Sequence, residues 1–312
     1  MWWNCATPMN EQRRIGAQLV LVATPIGNLA DLSPRAIDAL TNADLVCCED
    51  TRRTGRLLQH AGIASKRLAV CNEHTERDRV ADVLAVLGDG GTVAVVTDAG
   101  TPGISDPGEW LVRAAVAAGF EVSTVPGPTA LVSALVSSGL STSRFVFEGF
   151  LPRSGKGRKQ RLAALAVEQR TMVLYEAPHR IARTIADLIA ACGGDRPVAV
   201  ARELTKLYET IERGTLSSID LGTPRGEYVV VLGGAAMADD SADPAAVAAS
   251  IDVLLANGLS TKEAAAQSAD ALGISRRDAY AIALERRAVG VTAARSGSAS
   301  GESAGKIGRG PS

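Results

Sequence analysis

The residues best placed to hold a ligand lie in turns shaped by glycine and proline, each at the end of a short apolar run. Thr24-Pro25-Ile26-Gly27-Asn28 follows Leu19–Ala23, and Asp98-Ala99-Gly100-Thr101-Pro102-Gly103-Ile104-Ser105-Asp106-Pro107-Gly108 follows Val93–Thr97. Glycine lets a backbone approach a ligand closely, and proline fixes the shape of the loop. Asp98 stands where a carboxylate can accept hydrogen bonds from a ribose or an amino group. Val125-Pro126-Gly127-Pro128-Thr129-Ala130 repeats the pattern. A single loop of this kind is ordinary turn chemistry; several at strand ends point to a site. A second chemistry is offered by Arg153-Ser154-Gly155-Lys156-Gly157-Arg158-Lys159-Gln160-Arg161, which has five basic residues and no acid. Its glycines predict a mobile loop that orders on phosphate through Arg153, Lys156, Arg158, Lys159 and Arg161. A merely solvated basic loop is the plain alternative.

These loops need a scaffold, and the apolar runs supply it. Nine short strands are predicted, at Leu19–Ala23, Asp44–Cys48, Val93–Thr97, Glu121–Val125, Arg144–Phe147, Thr171–Tyr175, Val198–Ala201, Glu209–Glu212 and Tyr228–Leu232. They are continuous rather than alternating, the pattern of strands buried on both faces. Helical patterns separate them. Ser33-Pro34 and Asp106-Pro107-Gly108-Glu109 are helix starts, and Pro178 opens a helix with Ile181, Ile185, Leu188 and Ile189 on one face. The alternation implies an α/β fold with a mostly parallel first sheet. Strands with little helix between them over 198–232 predict a mixed second sheet. In ligand-binding sheets of this kind the site lies beyond the carboxyl ends of the strands.

The expected organisation is a disordered extension over 1–17, an N-terminal α/β domain over 18–138 and a C-terminal α/β domain over 139–234. A helix-turn-helix-like extension follows over 235–288, with a capping box at Ser260-Thr261-Lys262-Glu263, and then a disordered Ser/Gly/Ala-rich tail over 289–312. Arg276 and Arg277 in that extension can meet phosphates; a packing appendage is the plainer reading. The net charge of −1 and an aromatic content of 4% give no global sign of a nucleic-acid partner, so any such contact must be local. Five cysteines without a C-x-x-C pair argue against a zinc site or a disulfide framework and fit a reducing cytoplasm. No apolar run is long enough to span a membrane, and residues 1–17 lack the pattern of a signal peptide; Met9 offers a second start. There is no P-loop, no dinucleotide fingerprint after the first strand, no H-E-x-x-H and no G-x-S-x-G.

Eight segments in order make the chain resemble a known family. They are Thr24-Pro25-Ile26-Gly27-Asn28-Leu29, Glu49-Asp50-Thr51-Arg52, Asn72-Glu73-His74, Asp98-Ala99-Gly100-Thr101-Pro102-Gly103, Pro126-Gly127-Pro128, Phe147-Glu148-Gly149-Phe150-Leu151-Pro152, Tyr175-Glu176-Ala177-Pro178-His179-Arg180 and Ala201-Arg202-Glu203-Leu204-Thr205-Lys206. Together they resemble the RsmI family of small-subunit (16S) ribosomal RNA cytidine 2′-O-methyltransferases, in the tetrapyrrole-methylase-like superfamily. The likeness covers roughly residues 18–234, and the segment to about 288 resembles the family's C-terminal extension.

The resemblance implies two α/β domains with S-adenosylmethionine between them, a homodimer, and a cytidine ribose near the decoding site of small-subunit ribosomal RNA as methyl acceptor. It implies cofactor contacts from Asp98, Ala99, Gly100, Thr101, Gly103, Ile104 and Ser105, from Thr129 and Ala130, from Leu174 and Tyr175, and from Glu203 and Leu204. Pro25, Gly27 and Asn28 would face the substrate, with Arg52 on the RNA side. No metal is implied. A ribose hydroxyl is weakly acidic, so a general base would help, and Glu49, Asp50 and His74 are the candidates. Each has a plain alternative. Glu49 or Asp50 would pair with Arg52 or Arg53 or cap the next helix, and His74 would be an ordinary packed or solvated side chain. Glu203 and Lys206 would form an ion pair that lines the cleft, or a surface pair of little worth.

Overall fold

The computed structural model describes residues 16–236, 244–272 and 274–297, so the expected extension up to residue 15 and the tail beyond 297 lie outside the described residues. The chain divides into two compact units between Ala235 and Ala236.

The first unit holds two five-stranded sheets. One is built from β1 (Gln18–Val22), β2 (Leu45–Cys48), β3 (Leu68–Val70), β4 (Thr92–Val95) and β5 (Glu121–Val125), in the order β3-β2-β4-β1-β5. Every pairing in it is parallel. Its crossovers are helices α1 (Pro34–Asn42), α2 (Thr51–His60), α3 (Glu76–Gly88) and α4 (Glu109–Ala117), and α5 (Ala130–Ser137) follows β5. The sequence reading omits β3, an edge strand of only three residues, Leu68-Ala69-Val70, apolar in type but only partly buried and too short to stand out as a run.

The second sheet holds β6 (Phe145–Phe150), β7 (Thr171–Glu176), β8 (Pro197–Arg202), β9 (Thr210–Thr215) and β10 (Tyr228–Leu232), in the order β6-β7-β10-β8-β9. Only β6 and β7 run parallel; β10 lies antiparallel between β7 and β8, which makes the sheet mixed as expected. Helices α6 (Gly155–Val167) and α7 (Ile181–Cys192) pack beside each other and against this sheet. Tyr228 is in register with both Glu176 and Arg202, so the start of β10 reaches the same edge as the ends of β7 and β8.

The two sheets share a core. Leu131, Ala134 and Leu135 of α5 pack with Ile26 against Val173, Ala199, Val229 and Val231 of the second sheet. The turn over 137–143 therefore separates two sheets of one compact unit, not two units. Local chemistry explains the helix starts. Ser33 caps α1, its Oγ accepting from Ala36 N–H at 3.1 Å. Helix α4 departs from the expected cap: its first N–H groups go to buried Glu76, whose Oε1 accepts from Gly108, Trp110 and Leu111 at 2.9, 2.8 and 3.3 Å. Asp106 is thereby left free of capping duty.

The second unit consists of α8 (Pro244–Ala256), α9 (Thr261–Leu272) and α10 (Arg276–Gly297), around Val247, Ile251, Ala265, Ala269, Ala279 and Ala283. The capping box forms: Ser260 Oγ accepts from Glu263 N–H while Glu263 Oε2 accepts from Ser260 N–H at 3.0 Å. Helix α10 continues to Gly297, past the residue at which the sequence reading ends the helical segment. No helix among the described residues is long and apolar enough to cross a membrane.

Candidate active site

The two glycine- and proline-bearing turns are joined directly. Thr24 N–H donates to Gly100 O at 2.9 Å, Gly100 N–H returns to Thr24 O at 3.1 Å, and Thr24 Oγ1 donates to Thr97 O at 3.2 Å. Gly100 adopts a φ of 92°, open chiefly to glycine. Gly27 carries a different constraint: a Cβ there would lie 2.5 Å from Lys206 Cγ and 2.9 Å from Leu204 O, so only glycine lets this turn press against the segment after β8. Gly27 thus joins the two halves of the unit.

A cleft of about 350 Å³ opens beyond these strand ends, within the size range of small-molecule sites. The first sheet contributes Glu49 after β2, Asp98, Ala99, Gly100, Thr101, Ile104, Ser105 and Asp106 after β4, and Thr129 and Ala130 after β5. The second contributes Tyr175 and Glu176, Leu204, and Glu227 with Tyr228. Thr101 Oγ1 donates to Pro128 O at 3.2 Å and ties two of the loops together. Tyr175 OH accepts from Leu131 N–H at 3.1 Å, and its ring meets Phe147 and Phe150 edge to face at 5.0 and 5.8 Å. Ser105 and Glu203 hold φ values of 60° and 52°, backbone strain concentrated in and beside the cleft walls.

The cleft is acid-lined. Glu49, Asp98, Asp106, Glu176 and Glu227 face it, and among the described residues Arg53 is the one cation in its wall. Glu49 Oε1 accepts from Asp98 N–H at 3.0 Å. Asp98 Oδ2 pairs with Arg53 at 3.2 Å, whereas its Oδ1 is buried without a hydrogen-bond partner. Burial raises the carboxyl pKa of both Glu49 and Asp98. Asp106 is pushed up to about 7, first by burial and then by the neighbouring charges of Glu49, Asp98 and Glu227. Glu176 is satisfied internally by Ala177 N–H, by Thr184 Oγ1 at 2.6 Å and by Arg180.

Several sequence expectations need correction. Asp50 is not in the cleft: it caps α2 by accepting from Arg52 N–H at 2.8 Å, and the Arg52 guanidinium holds its carboxyl well below the usual range. Arg52 is spent on that pair and lies outside the cleft. His74 is exposed in the turn before α3, where its backbone N–H donates to Asn72 Oδ1. Gly103 closes its own loop on Pro107 O, and Leu174 is buried in the second core. Glu203 turns from the cleft to accept from Lys206 Nζ at 2.8 Å and Glu227 N–H at 3.0 Å. Asn28 caps the short turn Leu29–Asp31.

The basic segment is no mobile loop; Gly155–Val167 is helix α6. Arg158 within it is 4% exposed and bonds Asp187, Pro152 O and Thr184 at 2.7, 3.0 and 3.0 Å. It cannot reach a phosphate. Arg161 pairs with Glu148 at 3.1 Å, and Arg153, Lys156 and Lys159 are exposed. The sequence reading assigned no site role to Arg53, Asp106, Glu227 or Tyr228. Asp106 was masked by its likeness to a helix cap, and Glu227 and Tyr228 reach the site only through strand register.

Strand ends of a parallel sheet facing a mixed sheet across such a cleft define a class, and the family comparison agrees with it. The model of the tetrapyrrole (corrin/porphyrin) methylases matches residues 18–220, and the chain belongs to that family. Within it, the chain belongs with the proteins named ribosomal RNA small subunit methyltransferase I. It is 46% identical to the one from Synechocystis over 87% of this chain and 99% of that protein, and 45% identical to the one from Pseudomonas aeruginosa over 86% and 97%. Among solved structures it shares the fold of the methyltransferase CobJ, with a TM-score of 0.55 and 23% identity over 71% of this chain and 95% of that one.

Methylases of this family use S-adenosylmethionine, and it is the cofactor of this chain. The residues fit it. The cofactor brings a positive sulfonium and an ammonium group, which an acid-lined cleft favours, and the unpartnered Asp98 Oδ1 can accept from a hydroxyl or amino group. Tyr175, Ile104 and Leu204 supply an apolar wall for a base.

Proposed function

We propose that this chain methylates the ribose 2′-hydroxyl of a cytidine in small-subunit (16S) ribosomal RNA near the decoding site, in the cytoplasm and as a homodimer. The observation that carries the reading is near-full-length similarity to proteins of that name, joined to a cleft built for a cationic donor.

The bound cofactor supplies an already activated methyl group. The chain's task is to hold the acceptor oxygen in line with it; orientation of this kind contributes about 7–11 kcal/mol in well-fixed systems. Of the three candidate bases, Glu49 alone faces the cleft. It lies against Asp98, and burial raises its pKa, which makes its carboxylate a stronger proton acceptor. We assign it the proton of the acceptor hydroxyl. Leu207 and Tyr208, 87% and 74% exposed, and Val136 offer apolar surface for a second copy; sedimentation at the monomer mass would remove the dimer from this reading.

The test is to map ribose methylation in ribosomal RNA from cells with the gene, without it, and with Glu49→Gln. One cytidine methylation should vanish without the gene and fall roughly a hundredfold in rate with the variant. An unchanged methylation map in cells lacking the gene rejects the function; a variant of full activity rejects only the base.

A further inference from the structure

Beside the acid-lined cleft lies a second cavity of opposite character. It is a recess of about 200 Å³, walled by Thr24, Pro25 and Leu29 on one side and by Arg53, Arg56 and Leu57 of α2 on the other. It shares Arg53 and Asp98 with the cleft, so the Arg53–Asp98 pair stands at the junction of the two. We propose that this recess is a phosphate clamp for the acceptor RNA strand, with Arg53 and Arg56 as its cations. The proposal rests on the function given above and adds how the same site grips its substrate.

Three observations carry it. First, α2 bears three arginines near its start, and they are not equivalent. Arg52 is consumed by Asp50, to which it donates from Nε at 3.2 Å and from NH2 at 2.9 Å, and it does not line the recess. Arg56 makes no ion pair or hydrogen bond among the described residues, and Arg53 engages Asp98 through one nitrogen, NH1. Three residues apart on a helix, Arg53 and Arg56 share a face and present free guanidinium edges to one space. Planar guanidinium forks match the oxygens of a phosphodiester in pairs.

Second, the charges sort the two ligands. In the cleft Glu176 and Glu227 are paired with Arg180 and Lys206, which leaves Glu49, Asp98 and Asp106 against Arg53, a lining that favours a cation and disfavours a polyanion. Two arginines against Asp98 in the recess do the reverse. Third, the recess is not purely polar. Pro25, Leu57 and half-exposed Leu29 give apolar surface on which a sugar or base can rest while its phosphate meets the arginines. A nucleotide held this way has its ribose at the Arg53–Asp98 boundary, next to Glu49.

The experiment uses the full-length protein with undermethylated small subunits and a single-stranded oligoribonucleotide. Arg56→Ala should raise KM for subunits roughly tenfold, leave kcat and calorimetric cofactor affinity unchanged, and lower the salt slope of oligonucleotide binding by about 0.7. Arg56→Lys should keep the salt slope, because charge is retained, and recover only part of the KM. Arg52→Ala, altered on the same helix but outside the recess, should match the wild type in KM and slope. A wild-type KM and slope in Arg56→Ala, or an equal loss in Arg52→Ala, overturns the clamp while the methylation function stands. Wild-type protein that binds cofactor yet methylates no subunit overturns the function and the clamp together.

Discussion

Arg158 on α6 and Arg56 on α2 are the same residue type, each in the second turn of a helix rich in basic residues. One is 4% exposed and bonds a carboxylate, a carbonyl and a hydroxyl; the other is exposed at a recess with no ion pair among the described residues. The difference is set by what the opposite element offers. Helix α7 turns Asp187 and Thr184 towards Arg158, and a buried guanidinium persists only when its donors are met in this way. Helix α2 faces the turn at Thr24–Leu29, which offers Arg56 no acid. The count of basic residues in a segment therefore says little about how many cations are available to a partner.

The strongest way to break this comparison is Arg158→Ala. It leaves Asp187 only the longer pair with Arg183 at 3.8 Å, removes the donors to Pro152 O and Thr184, and should cost about 3 kcal/mol of stability, read as a lowered calorimetric Tm. Arg158→Lys should restore only part, since an ammonium cannot span three acceptors in a plane. A wild-type Tm in Arg158→Ala would return that residue to the free cations.

A smaller effect sharpens the contrast from the acid side. The pKa of Asp106 is pushed up to about 7 in the folded chain, against about 3.9 for an unperturbed aspartate. The folded state thus holds a proton that the unfolded state has lost over that window. This contribution to stability is full below pH 4 and disappears as pH rises through 7. Ligand-free Tm should fall between pH 5 and 8, and Asp106→Asn should remove part of that fall. A cationic cofactor favours the ionised form, so its affinity should rise from pH 6 to 8 in the wild type and stay flatter in the variant. Parallel pH profiles for the two proteins would detach Asp106 from the cleft's electrostatics.

The smallest expected effect belongs to Lys156 and Lys159, both exposed on α6. Replacing either with Ala should change stability by less than about 0.5 kcal/mol and lower the salt slope of RNA binding less than Arg56→Ala does. A larger loss of slope at Lys159 than at Arg56 would reverse the ranking of the two helices.

Much of the scaffold is legible in the chain. Continuous Val- and Leu-rich runs mark the buried strands, and Ser33-Pro34 and the Ser260–Glu263 box mark helix starts because those bonds close within a few residues. The Asp98–Ser105 turn and Thr129-Ala130 announce a site through glycine, proline and their places after strands. The reading failed where a side chain's partner lies far off in sequence. Asp50 was legible as a cap or as a base, and nothing local chose between them. Asp106 resembles a cap in the sequence, but Glu76, the real one, enters from another helix. Leu174 cannot join Tyr175 in the site, because neighbouring strand residues face opposite sides of a sheet.

The sequence by itself determined the strand and helix content, the mostly parallel first sheet and the family, since these rest on local periodicity and on ordered motifs. Tertiary structure alone decided which charges are free. Whether an arginine is a buried strut or an open cation, and whether a carboxylate titrates near neutrality, depends on desolvation and on partners brought near by folding from distant parts of the chain.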